Sequence, residues 1–321
     1  MPDVRQSRIV LPGGSGQVGA VLARAFHRAG HDVVVLSRTP RPGPWRAVLW
    51  DGATPGEWCR ELDGCDVVIN LAGRSVNCRY TAANRRAIVG SRVRSTRAVG
   101  EAIARSVRPP RVWLQMSTAT IYAHRLDAPN DEATGVIGGD EPDGPPSWRF
   151  SIDVARAWEA ALEESVTPRT RRVLLRSAVV MSPDAGGILD TLLRLVRLGL
   201  GGAHGDGRQF VSWIHRDDFV EAIRWLIDRA DIDGVVNVAA PNPVPNAAFM
   251  RALREAAGVR VGLPLSRWML QAGAALMRTE TELLLKSRRV VPGRLLAHGF
   301  AFQYPDWRDA ARELCREWRR G

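Results

Sequence analysis

The stretch Ile9-Val10-Leu11-Pro12-Gly13-Gly14-Ser15-Gly16-Gln17-Val18-Gly19 decides how this chain is read. A short apolar run ends at a proline, and Gly13-x-x-Gly16-x-x-Gly19 leads at once into the helical periodicity of Gln17–Ala29. Glycine lets a backbone turn tightly and approach a diphosphate with no Cβ in the way. The helix that follows offers unpaired N–H groups and the positive end of its dipole to an anion. Placed between the first strand and the first helix of a βαβ unit, such a turn predicts dinucleotide binding, with Gly19 allowing the helix to pack closely.

Outward from this turn, apolar β-branched runs alternate with helical patterns. Strands are predicted at Ile9–Leu11, Val33–Leu36, Ala47–Trp50, Val67–Leu71, Val112–Met116, Val173–Arg176 and Val235–Val238. Helices are predicted at Gln17–Ala29, Thr81–Ser106, Val154–Ser165, Asp217–Asp228 and Asn246–Ala257. Continuous apolar strands in this alternation predict an α/β fold, a doubly wound Rossmann-type parallel sheet covered on both faces. Beyond about residue 240 strand signals fade, and Leu265–Met277, Glu280–Ser287 and Trp307–Trp318 read as helices. Residues 1–180 and 211–240 are therefore assigned to a nucleotide-binding domain, and 181–210 and 241–321 to a smaller, mostly helical domain on the substrate side. Ala128–Trp148, rich in Gly, Pro and acidic residues, is expected to be a long exposed loop.

The second strand should end in the residue that reads the adenosine ribose. A carboxylate there accepts from the 2′-hydroxyl and repels a 2′-phosphate. This strand ends Ser37-Arg38, a hydroxyl and a guanidinium suited to a phosphate, and Asp32 is at its wrong end. NADP(H) is therefore expected over NAD(H). Asp51, after the third strand, is expected either to contact adenine or to cap a turn. Leu71-Ala72-Gly73 leaves room for the cofactor to pass over the fourth strand, and Arg176 ends the sixth, toward the nicotinamide half.

Composition narrows the rest. With 45% hydrophobic and 25% charged residues, the 321-residue chain has ordinary globular usage, which excludes disordered and fibrous classes. The net charge of +11 raises the question of nucleic acid, but the basic residues are scattered among acidic ones, and no nucleic-acid partner is expected. One of the 45 basic residues is a lysine, Lys286. The four cysteines form no C-x-x-C pair, and no metal site is expected. No signal segment or membrane span is evident, so a cytoplasmic protein is expected.

The turn Gly13–Gly19, the strand end Asn70-Leu71-Ala72-Gly73 and Ser117-Thr118-Ala119-Thr120-Ile121-Tyr122 resemble the extended short-chain dehydrogenase/reductase superfamily. More narrowly, the chain resembles an atypical epimerase-like family within it, some of whose members are described as nucleoside-diphosphate-sugar epimerases or cell-division-inhibitor-like proteins. That narrower likeness is carried by Ser91-Arg92-Val93, Trp158-Glu159, Leu174–Pro183, Leu198–Gly202, Gly207-Arg208-Gln209, Ser212–His215 and Asp217-Asp218. The tail Arg294-Leu295-Leu296-x-x-Gly299-Phe300-x-Phe302 resembles that family's C-terminal domain of unknown function.

The resemblance implies a Ser or Thr with a Tyr-x-x-x-Lys pair, in which the phenol moves a proton and the lysine tunes it. None of Tyr80, Tyr122 and Tyr304 has a lysine four residues on. By register with Glu159, Ser151 stands in the tyrosine's place and Ala155 in the lysine's, so the usual proton relay is missing. Thr118 matches the superfamily's catalytic Ser/Thr, with Ser117 beside it. Tyr122, Trp148, Arg208 and Trp213 are candidates for the substrate side, Arg74, Asn77 and Arg79 for the pocket mouth. His124 lies in a nearby loop as an isolated histidine. His215 with Asp217 and Asp218 is either a proton-transfer pair or a strand leading into a helix capped by Asp217. The leading expectation is an NADP(H)-dependent oxidoreductase or epimerase-like enzyme on a small carbonyl or hydroxyl substrate. The alternative is an NADP(H)-binding sensor or partner-binding protein without turnover.

Overall fold

A computed structural model of the protein describes residues 6–141, 145–266, 268–269 and 282–320. Alternation along the first strands sets the architecture. In β1 (Arg8–Pro12), Ile9 and Leu11 enter one core and Val10 the other; in β2 (Asp32–Ser37), Val33 and Val35 oppose Val34 and Leu36 in the same way. Side chains that alternate between two buried faces require cover on both. β3 (Arg46–Leu49), β4 (Val67–Asn70), β5 (Val112–Thr118) and β6 (Arg171–Ser177) follow. A short parallel pair, β7 (Val179–Met181) with β9 (Trp213–His215), stands apart from this sheet, as does the antiparallel pair β8 (Phe210–Val211) with β11 (Val244–Pro245). β10 (Gly234–Val238) completes a seven-stranded sheet ordered β10-β6-β5-β4-β1-β2-β3, all of whose pairings are parallel. These seven strands are the seven predicted. Strand order reverses between β1 and β4, which is where doubly wound sheets open a ligand crevice.

One face carries α1 (Gln17–Arg28), whose Val21, Leu22 and Phe26 share a core with Phe219, Ile223 and Leu226 of a later helix. The other carries α2 (Ala82–Arg105) and α3 (Pro146–Glu163), which bury Val99, Ile103 and Leu162 around Trp113. α4 (Ile188–Arg197), α5 (Arg216–Asp228) and α6 (Asn246–Ala257) follow. A separate core joins α4, α6 and the C-terminal helix Trp307–Trp318, with Phe249 stacked on Trp307 at 4.1 Å.

Several expectations differ from what the structure shows. α3 starts at Pro146 and not Val154, because proline at the first helical position loses no hydrogen bond and has the right φ. The preceding segment is not wholly exposed. Asn130 is buried and pairs with the backbone of Arg289 and Val291, and Glu132 accepts from the Asn237 and Arg294 amides. The two proposed domains also share cores: Trp213 belongs to the α4–α6 core, while Leu295 and Phe300 return to the sheet. The predicted helix Leu265–Met277 falls largely outside the described residues, and of the predicted Glu280–Ser287 the described part is helical over the single turn Glu282–Leu285.

His215, not Asp217, caps α5. Its Nδ1 accepts from the Asp217 amide at 3.1 Å, its Nε2 meets the Glu313 carboxylate at 3.0 Å, and Tyr304 stacks on the ring at 3.9 Å. Asp218 accepts from the amides of Gln303 and Tyr304 and so fastens the tail. Burial lowers the His215 pKa to about 4 despite the neighbouring Asp217 and Asp218, so the ring is neutral at pH 7.

Two outcomes are expected. Gly13 has φ +77°, and a Cβ there would lie 2.6 Å from the Ala72 Cα; Gly30 has φ +85° and nothing within 4 Å. Urea denaturation should show Gly13→Ala losing roughly 2–5 kcal/mol, the left-handed backbone cost plus overpacking, and Gly30→Ala roughly 1–2 kcal/mol, the backbone cost alone. Equal losses would contradict the close approach at Ala72. For His215, the unfolded chain takes up a proton near pH 6.5 that the folded chain refuses until about pH 4. Stability should therefore fall as pH drops from about 6.5 toward 4, and more steeply than in His215→Asn, which retains a capping acceptor but cannot titrate. Identical slopes would mean that the ring titrates alike in the folded and unfolded chain.

Candidate cofactor and active site

The glycine turn is tied to both neighbours of β1. The Gly13 amide donates to the Leu36 carbonyl of β2 (2.9 Å), and the Leu71 amide after β4 donates to the Pro12 carbonyl (2.8 Å). Gly14 is packed against Leu11, and a Cβ on Gly19 would lie 2.5 Å from the Gly14 Cα. The close packing that Gly19 permits is thus against the turn itself. Ser15, Gly16 and Gln17 are exposed, and α1 carries no acidic residue in its first turn. The amides of that turn have no carbonyl one turn earlier in the helix. The edge is therefore positive, shaped and uncapped by any side chain, with Val18 partly buried behind it. Gln17 reaches toward α4: a Cβ on Gly187 would lie 1.8 Å from its Nε2. Arg24 on the same helix pairs with Asp184 at 2.5 Å.

At the end of β2, the Ser37 hydroxyl donates to the Ser15 hydroxyl at 3.0 Å, joining this strand end to the turn. Arg38 beside it is exposed and has no acidic partner among the described residues. Asp32 is engaged by Arg8 (2.7 Å) at the other end of the strand. Asp51 caps the turn after β3. Burial alone would raise its pKa, but hydrogen bonds from Thr54 and Ala53 outweigh this and lower it.

At the end of β4, Ala72 lies against Gly13 with Gly73 exposed beside it. The Arg92 guanidinium on α2 faces Gly73, donates to the carbonyls of Arg74 and Ile88 (3.1 Å each), and lies 4.9 Å from the Trp158 ring. Burial brings its pKa down to about 10. Arg74 itself is exposed and bonds Asn84; Asn77 and Arg79 are exposed on the same segment.

Ser117 and Thr118 have opposite surroundings because alternate residues of a strand face opposite sides. The buried Ser117 hydroxyl donates to Glu159 on α3 (2.7 Å). Arg176 grips the same carboxylate through Nε (3.0 Å) and Nη2 (2.8 Å), and donates to the Tyr122 hydroxyl (3.1 Å). Burial alone would lower the Arg176 pKa, and Glu159 more than reverses that. Tyr122 is buried and donates to Asn237 (2.9 Å), and burial pushes its phenol up. Ser117, Arg176 and Tyr122 thus form one network with Glu159, in which Arg176 uses its Nε, Nη1 and Nη2. Thr118 differs. It is half-buried, and its oxygen accepts from the Thr120 amide at 3.2 Å, which leaves its O–H free to donate.

Trp148 stacks on His124 at 4.7 Å at the start of α3. Trp213 is fully buried against Trp307, in the core rather than on the substrate side. Arg208 is exposed on its loop, bonded to Asp206 through its backbone amide. A polar cavity of about 630 Å³, lined by Arg8, Asp32, Asp66 and Arg108, opens at the opposite edge, where the sheet strands begin. Sequence reasoning did not place Glu282 and Arg288 at the site. Both are buried, as is Lys286, and all three lie against Ser151 or Thr120. The isolated lysine was the available signal; the chain reversal that brings it here is not a local property of sequence.

Residues 9–239 match the NAD dependent epimerase/dehydratase family, and residues 265–314 match a domain of unknown function, DUF1731. Human epimerase family protein SDR39U1 is 32% identical over 310 residues, 96% of this chain and 99% of the relative. Epimerase family protein YfhF of Bacillus subtilis is 30% identical over 311 residues, 95% and 97% of the two chains. A crystal structure of human SDR39U1 with NADPH has a TM-score of 0.83 at 31% identity and covers 96% of this chain and 99% of that one. The UDP-N-acetylglucosamine 4-epimerase from Bacillus cereus, at 14% identity and a TM-score of 0.75, shares the fold. The chain, with its seven-stranded Rossmann-type sheet and helical C-terminal region, belongs to the NAD-dependent epimerase/dehydratase family.

Proposed function

We propose that this protein binds NADP(H) through the Gly13–Gly19 turn, Ser37 and Arg38, and acts as an oxidoreductase or epimerase-like enzyme on a small carbonyl or hydroxyl compound. One observation carries the cofactor reading. The end of β2 offers an exposed, acid-free guanidinium at Arg38 beside the paired hydroxyls of Ser37 and Ser15. A 2′-phosphate finds a charge-assisted fork there, while a ribose 2′-hydroxyl lacks its usual carboxylate partner. The NADPH in the human relative's crystal structure supports the same choice. The residues fit a dinucleotide, because the turn presents first-turn amides with no acidic neighbour and exposed backbone at Gly16.

When bound, a nicotinamide supplies hydride transfer to or from carbon. The chain supplies position and protons. Thr118 donates its free O–H to the substrate oxygen, whereas Ser117 already donates to Glu159 and holds the network behind it. A binder without turnover is the second reading. Ala155, buried where the lysine of the usual pair would stand, and Ser151, already bonded to Glu282, favour it.

Fluorescence titration should give tighter binding of NADPH than of NADH. Arg38→Ala should weaken NADPH roughly 10- to 100-fold, the value of a charged hydrogen bond, and leave NADH nearly unchanged. Tighter NADH binding by the wild type would overturn the cofactor choice. With NADPH and a panel of small carbonyls, turnover is expected to fall about 10²-fold in Thr118→Ala with NADPH affinity retained. NADPH binding with no oxidation across the panel would select the second reading.

A further inference from the structure

The chain's one lysine is buried against the turn that follows Thr118. The turn Glu282–Leu285 and the residues after it lie across the gap between α3 and the end of β5. Three charged side chains make the crossing. The Ser151 hydroxyl donates to the Glu282 carboxylate, at the position the family's tyrosine would occupy. The Lys286 ammonium donates to the Thr120 carbonyl at 3.0 Å, and Arg288 donates through Nε to the Thr120 hydroxyl at 3.2 Å. Arg288 also reaches Glu282 at 3.9 Å. Thr120 belongs to the short turn that Thr118 caps. Glu282, Lys286 and Arg288 thus connect the vacated tyrosine position to Thr120, two residues past Thr118.

Buried charges are costly, and apolar side chains would fill this gap at least as well if filling were all that mattered. Among the described residues the Thr120 carbonyl is the acceptor found for Lys286, which leaves further N–H donors on its ammonium.

We propose that Lys286 is the proton-transfer residue of this site, serving from the C-terminal region in place of the missing Tyr–Lys pair. This rests on the oxidoreductase reading above. As the carbonyl carbon gains hydride from NADPH, the C=O π pair moves to oxygen. An N–H bond of Lys286 breaks and an O–H bond forms. The amine is left neutral and takes a proton back from water, which leaves hydroxide, so carbonyl, NADPH and water give alcohol, NADP⁺ and hydroxide with the ammonium restored. The charged and titratable groups around Lys286 are Arg288 and Glu282 on its own segment and Glu141 ahead of α3. Tyr80 faces Arg288, and His124 accepts from the Ser287 amide. Burial, helped by Arg288 and opposed by Glu282 and Glu141, brings the ammonium down to about 8, where it is charged at neutral pH and still a competent acid.

A single lysine makes the test direct. The full-length protein, grown with ¹³C-labelled lysine, gives one lysine side-chain signal. It should titrate near pH 8, and saturating NADPH, its binding verified by fluorescence, should shift both signal and midpoint. A midpoint near about 10.5, or a signal unmoved while NADPH is bound, overturns the role of Lys286 and leaves the cofactor reading intact. If NADPH does not bind, the cofactor reading fails and the proposal with it. On any carbonyl from the panel that is reduced, Lys286→Gln should lower kcat roughly 10²- to 10⁴-fold with little change in the KM for NADPH, and wild-type activity should decline above about pH 8. An unchanged pH profile in Lys286→Gln would contradict the proposal.

Discussion

The absence of a side chain at Gly13 governs the geometry of the site. The backbone that leaves β4 passes so close that a Cβ would collide with Ala72. That contact holds the ends of β1 and β4 together at the point where strand order reverses. The Gly13 amide is fixed by Leu36 and the Leu71 amide by Pro12, so the turn cannot drift toward either neighbour. The direction of α1 follows, because its start is wedged against Gly14 through Gly19. The positive helix end is thus held in place by main-chain contacts rather than by mobile side chains.

Behind that crevice, polar groups are partitioned by strand alternation. Ser117 and Arg176 converge on one buried carboxylate, Glu159, and Tyr122 ties the group to β10 through Asn237. Removing one member of such a buried charged network leaves the others unsatisfied. The network supports the ends of β5 and β6 from behind. Thr118, one residue along, faces the other way with an available hydroxyl. Of these two adjacent hydroxyls, one is spent on the network and the other is left available.

Much of the fold was legible because its signals are local. Period-two burial and continuous apolar runs located the strands of the seven-stranded sheet, though not the two short pairs β7–β9 and β8–β11, and the glycine spacing located the switch point. The start of α3 was missed because Pro145-Pro146 resembles a loop, although proline suits a first turn. Asp217 was favoured as a cap by its residue type, yet the ring nitrogen of His215 performs that role, a choice made by the packing of Tyr304 and Glu313. At the candidate site, the motif residues could be placed from sequence, but not their partners. Arg176 ends the expected strand, and only the fold brings Glu159 to it. Glu282, which bonds the residue standing in the tyrosine's place, comes from 131 positions beyond Ser151, a separation that no periodicity or spacing rule spans.

The most direct measurement is a crystal structure of this protein with NADPH. The account predicts the diphosphate on the amides of Ser15 to Val18 and the 2′-phosphate between Ser37 and Arg38. A bound dinucleotide lying elsewhere, or a glycine turn left empty at saturating NADPH, would contradict it.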